Sequence, residues 1–128
     1  MPIITLLYAG ILGIMSIVLS SFPGVMRGKL GVSIGDGGDP ELLLRIRRHG
    51  NFTEFVPLAL ILMGLLEMNG VGSTTAHVFG IVLVLARIAH AVGLKADTAA
   101  TPLRGIGAGA TALLTVVMSV WAIVLFVM

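Results

Sequence analysis

Residues 40–69 read PELLLRIRRHGNFTEFVPLALILMGLLEMN. As a helix this segment is about 30 residues long, roughly 45 Å, which exceeds the roughly 30 Å of hydrocarbon in a bilayer. Its clean apolar part, Phe55 to Leu66, is only about 12 residues, or roughly 18 Å. To cross a membrane, the helix must draw Asn51 and Glu54 beneath the interface, while its first turns project into the headgroup layer. An acid costs at least about 2.5–3.5 kcal/mol at the bilayer centre, less near the edge, unless something meets it. The segment therefore reads as a membrane span with a polar site built into one end.

The rest of the chain requires a membrane as its solvent. Of its 128 residues, 57% are hydrophobic and only 11% charged, and the mean hydropathy is +1.09. A soluble domain carries about 25% charged residues, and this chain has too few to cover its own surface. The absence of cysteine excludes a disulfide-stapled secreted domain. A net charge of +2 in so apolar a chain points to topology signals, not to nucleic acid. The uncharged run from Met1 to Met26 is broken by Pro23-Gly24, predicting a first helix over 3–22 that is too long for a signal-peptide core. Further spans are predicted over 40–69, 75–93 and 102–128, giving a single all-α domain of four transmembrane helices.

All eight basic residues (Arg27, Lys29, Arg45, Arg47, Arg48, Arg87, Lys95 and Arg104) fall in the connections 23–39 and 94–101 or at the helix ends beside them. By the positive-inside bias, those connections are cytoplasmic and both termini lie outside. The glycine-rich stretch from Gly28 to Gly38 matches no nucleotide motif and reads as a flexible surface connection. It ends in Asp39-Pro40-Glu41, a helix start in which Asp39 accepts from free amides, Pro40 suits the first position and Glu41 favours the positive dipole end. Thr101-Pro102 repeats that logic. Gly105 to Gly109, with Gly10 and Gly13, reads as small-residue faces for close helix packing, and Pro57 as a possible kink.

Arg47, Asn51 and Glu54 are spaced i, i+4, i+7 and share a helix face. Arg87 and His90 share a face of the third helix at i, i+3, and Arg104 stands in the first turn of the fourth at the same depth. Together they predict a polar pocket opening to the cytoplasm, with no metal site. Arg45 and Arg48 read as headgroup contacts and Lys95 as an interfacial anchor. Glu67 is expected to cap the outer end of the second helix, and His77 to mark the outer start of the third.

The stretch Arg47-Arg48-His49-Gly50-Asn51-Phe52-Thr53-Glu54-Phe55-Val56-Pro57 resembles the signature of the MAPEG family, membrane-associated proteins in eicosanoid and glutathione metabolism. Its pattern is roughly R-A-H/Q-x-N-x-x-E-Y/F-x-P, from which Arg48 departs by replacing the usual alanine. Arg87-Ile88-Ala89-His90-Ala91-Val92-Gly93 is similar to the third-helix motif, and the bacterial-type branch is the nearest in character. The resemblance implies a left-handed four-helix bundle assembled as a homotrimer in a bacterial inner membrane. It also implies glutathione as co-substrate, held between subunits by Arg47, Asn51, Glu54 and Arg87. His90 would line that site and Arg104 would activate the thiol. The activity implied is a glutathione transferase or peroxidase acting on lipophilic small molecules that arrive through the membrane lipid. Several animal members carry tyrosines where this chain has His90 and Leu94.

Three other readings suit a chain of this size. A non-catalytic scaffold or regulator would keep the fold without the chemistry. A small proton-coupled multidrug transporter would need its acid in the middle of the first helix, where this chain has none. A b-type haem protein would need paired histidines at equal depth, whereas His77 lies at the opposite face from His49 and His90.

Overall fold

The computed structural model describes residues 1–95 and 101–128. Four helices follow one another along the chain: α1 (Ile3–Leu30), α2 (Pro40–Met68), α3 (Ser73–Gly93) and α4 (Pro102–Val127). There is no strand among the described residues, and each helix is long and apolar enough to cross a membrane. The protein is an all-α, multi-pass membrane protein.

Capping chemistry sets two of the helix starts. Asp39 Oδ1 accepts the Leu42 N–H at 2.8 Å, Pro40 occupies the first position, and Glu41 is ion-paired with Arg45 one turn on at 2.9 Å. At α4, Thr101 Oγ1 accepts the Arg104 N–H at 3.2 Å. The same hydroxyl donates to the Gly93 carbonyl, tying the start of α4 to the end of α3.

Helix α1 is longer than the sequence predicts. It continues through Pro23 for eight residues past position 22, because a proline removes only one amide donor and a membrane helix tolerates that loss. The extension carries Arg27 and Lys29 in its last turn, at the negative end of the helix dipole. It stops at Gly31, whose φ of 68° is left-handed, with the Val32 N–H returned to the Arg27 carbonyl at 3.1 Å. This is the Schellman arrangement that glycine permits.

The first connection therefore shrinks to residues 31–39 and is tied down along its length. Arg27 donates through Nε and Nη2 to the Gly35 carbonyl, at 3.3 and 3.2 Å. The Gly38 N–H donates to Asp36 Oδ1 at 3.0 Å. Gly37 combines a φ of +59° with a close approach, since a Cβ there would lie 2.6 Å from Val32 Cγ2. The glycines of this loop serve a folded turn and not slack.

Helix α3 is the most buried of the four. Leu12 of α1, Met63 and Leu66 of α2, Leu83 of α3, and Thr111 and Met118 of α4 close the core almost completely. Between α1 and α4 no Cα pair comes within 8 Å among the described residues, so α2 and α3 separate them. The outward faces are apolar, with Ile14, Ile17, Ile81, Leu85, Val116 and Ile123 all exposed. That distribution suits lipid, not water.

The small-residue faces differ from expectation. Gly10, Gly13, Gly105 and Gly109 have open space where a side chain would be. The close approach belongs to Gly107, where a Cβ would sit 2.5 Å from both the Ala86 carbonyl oxygen and the His90 nitrogen. Gly93 likewise leaves no room against the Arg104 backbone, and Gly80 none against the Tyr8 ring. The physical reason is that only the middle glycine of the run lies on the α3 side of α4.

Gly107→Ala is accordingly expected to destabilise the bundle by about 1–3 kcal/mol, since backbone on α3 must yield to admit the methyl group. Gly105→Ala meets nothing and is expected to be neutral or stabilising by up to about 1 kcal/mol through helix propensity. Thermal melts of the two variants in detergent distinguish them.

Candidate functional site

Arg87 is the anchor of the site. It projects from the last half of α3 and is only 2% exposed. Its Nη1 donates to Asn51 Oδ1 on α2 at 2.8 Å, and Nη2 donates to the Gly107 carbonyl on α4 at 3.1 Å. The guanidinium lies 6.0 Å from the centre of the Phe55 ring, within cation–π range. One side chain therefore fastens three helices. Its Nε is buried with no hydrogen-bond partner among the described residues.

His90, one turn further along α3, is also buried. Its backbone packs directly against α4 at Gly107. Arg104 is half-buried in the first turn of α4, and its backbone packs on Gly93. Asn51, Arg87, His90 and Arg104 thus cluster at the bundle end that carries the first and third connections.

Arg47 and Glu54 stand apart from that cluster. Both are exposed on α2, two turns from each other. Glu54 borders a cleft of about 400 Å³ between α2 and α4, with Phe55 and Leu58 on one wall and Thr115, Val116 and Ser119 on the other. No cation lies within ion-pair distance of Glu54 among the described residues, where Arg45–Glu41 is the ion pair present. The expectation that a cation meets Glu54 is therefore not fulfilled within one chain. Arg47 borders a separate recess with Pro40, Leu43, Leu44, Leu94 and Lys95. The i, i+4, i+7 spacing put Arg47, Asn51 and Glu54 on a common face, but the bundle turns Asn51 inward and leaves the two charged residues at the rim.

Arg48, expected to contact headgroups, is engaged within the bundle. Its Nη2 donates to the Leu94 carbonyl at 2.8 Å, bridging α2 to the end of α3. At the opposite end of the bundle, Glu67 does not cap its own helix. Its carboxylate accepts the Ile4 and Thr5 amides and the Thr5 hydroxyl, each at 2.8 Å. Those are the free donors at the start of α1, and a helix N-terminus attracts an anion for this reason. Nearby, the Tyr8 hydroxyl is 3.0 Å from His77 Nδ1. The carbonyl of Gly107 is the contributor to the Arg87 cluster that the sequence pattern did not disclose. The signal available was the glycine run itself, read for packing and not for an exposed acceptor.

The comparisons with known proteins agree with this architecture. The model of the MAPEG family matches residues 5–124. Inner membrane protein YecN of Escherichia coli strain K12 is 41% identical over 91 residues, covering 70% of this chain and 69% of its own. The same protein from Escherichia coli O6:H1 strain CFT073 matches to the same extent. No solved structure matches. A family match over nearly the whole chain, joined to four membrane-length helices, establishes that this protein belongs to the MAPEG family.

Proposed function

We propose that this protein is a glutathione-dependent transferase or peroxidase of a bacterial inner membrane, working as a homotrimer with both termini outside. The observation that carries the reading is Glu54, a carboxylate exposed on an apolar flank of α2 with no cation of its own chain in reach among the described residues. Lipid is a poor neighbour for such a group. A second copy of the chain covering the cleft, with a zwitterionic ligand between them, would satisfy it.

Glutathione has the matching chemistry: two carboxylates, an ammonium and a thiol. Arg47 offers a planar fork for a carboxylate, and Glu54 takes the ammonium. Arg87 orients Asn51, which reaches the peptide. Arg104, at the N-terminal end of α4, supplies a positive charge together with the helix dipole, and both favour thiolate over thiol. The thiolate sulfur then bonds to an electrophilic carbon while the leaving group departs with its electron pair. With a hydroperoxide, sulfur takes the terminal oxygen and the alcohol leaves. A second glutathione then yields the disulfide and water.

The test is thiolate difference absorbance on purified protein titrated with glutathione at neutral pH. Wild type is expected to show a saturable thiolate signal. Arg104→Ala is expected to bind but to lose that signal by about tenfold or more, the weight of one charge-assisted contact. No saturable effect of glutathione in wild type would overturn the reading and leave a scaffold of the same fold.

A further inference from the structure

Between α1, α2 and α3, on the side away from Glu54, lies a cleft of about 410 Å³ bordered by Leu19 and Phe22, by Arg45 and Arg48, and by Ala91 and Val92. We propose that this cleft is a specific site for a membrane phospholipid with a singly charged anionic headgroup, its phosphate held by Arg45 and Arg48 and an acyl chain laid along Leu19 and Val92. The proposal is independent of glutathione.

Charge sets the headgroup. Two guanidinium groups border the cleft, and one carboxylate, Glu41, engages Arg45 through Nε at 2.9 Å. Among the described residues one positive charge remains uncompensated, matching a phosphodiester anion. Both arginines are held in place before any ligand arrives. Arg45 stacks 5.7 Å from the centre of the Phe22 ring, and Arg48 is pinned to the Leu94 carbonyl at 2.8 Å. Arg48 Nε is buried with no hydrogen-bond partner among the described residues. A guanidinium already fixed in place suits an anion site, because little rotamer freedom remains to be lost on binding.

The apolar wall sets the rest of the ligand. Leu19, Phe22, Ala91 and Val92 offer nothing to a free phosphate ion. Val92 is 61% exposed on the outer flank, so a chain can enter sideways from the bilayer. Arg48 stands where the family pattern usually has alanine, so this cleft has a charge that the shared signature does not supply.

The experiment is lipid retention by the purified protein, extracted from vesicles of equal phosphatidylglycerol and phosphatidylcholine with matched chains and read by native mass spectrometry. Wild type is expected to keep phosphatidylglycerol over phosphatidylcholine by about tenfold, the weight of one charge-assisted contact. Arg48→Gln is expected to lose that preference. Val92→Trp, which fills the mouth while keeping both arginines, is expected to lose the bound lipid itself. Lys29→Gln removes an exposed cation from the same end of the bundle and is expected to change nothing. Inorganic phosphate is not expected to displace the lipid. Equal retention of the two lipids by wild type would overturn the proposal. So would an equal loss in Lys29→Gln and Arg48→Gln, which would mean diffuse attraction, or displacement by phosphate, which would mean a bare anion site.

Discussion

Arg87→Ala is expected to lower the stability of the bundle by about 3–5 kcal/mol, more than any other single substitution at this end. Two charge-assisted hydrogen bonds disappear, those to Asn51 and to the Gly107 carbonyl, each worth about 1.5–3 kcal/mol. The aliphatic stem also leaves a space among α2, α3 and α4, at about 0.8 kcal/mol for each lost methylene. Against these losses stands one gain, because a cation with no carboxylate in ion-pair distance among the described residues is removed from a low-dielectric position. Arg87→Met separates the contributions. It retains the stem and discards the charge, so it is expected to cost less than alanine by about 1–2 kcal/mol, the share of the stem. The Gly107 carbonyl keeps the Thr111 hydroxyl as a donor at 2.9 Å, leaving Asn51 as the main unsatisfied partner. Unfolding in a mild detergent with increasing dodecyl sulfate gives both values. Equal losses for alanine and methionine would show that packing of the stem contributes nothing.

The contrast between Arg87 and Glu54 marks what could be read from the sequence. Helical periodicity grouped Arg47, Asn51 and Glu54 on one face of α2, and capping chemistry placed the starts of α2 and α4 at Asp39 and Thr101. Both are local properties, decided within a turn or two of the residues concerned. Which of the grouped residues turns inward depends on how α3 and α4 lean on α2, and that depends on Gly107, where bare backbone lets the helices meet. Nothing local distinguishes Gly107 from Gly105 or Gly109. The same holds for Glu67, whose partners at the start of α1 are more than sixty residues away. An acid near the end of its own helix looked like a local feature, yet its binding energy is spent on another helix. Pro23 shows the converse error. A local rule predicted a stop, and the apolar surroundings of a membrane helix outweighed it.

Glu54→Gln should weaken glutathione binding by about 10- to 150-fold, while leaving the fold intact, because the side chain is exposed and bonded to nothing among the described residues of its own chain. The substitution keeps size and hydrogen-bonding capacity and removes only the charge, so the loss measures the attraction to the ligand ammonium. N-acetylglutathione, which lacks that ammonium, provides the second half of the cycle. Wild type is expected to bind it as weakly as Glu54→Gln binds glutathione, and the variant should not distinguish the two ligands. Coupling of this kind arises only if carboxylate and ammonium meet. Glu41→Gln, which breaks the exposed pair with Arg45, is the control for general charge and is expected to leave affinity unchanged. Should Glu54→Gln instead alter the oligomeric state with glutathione binding untouched, the carboxylate serves a contact between subunits. The ligand would then have to be sought among Arg47, Lys95 and Arg104. Calorimetry on the two ligands and size measurement on the same samples decide between these outcomes, since a lost ligand contact and a lost subunit contact change different observables.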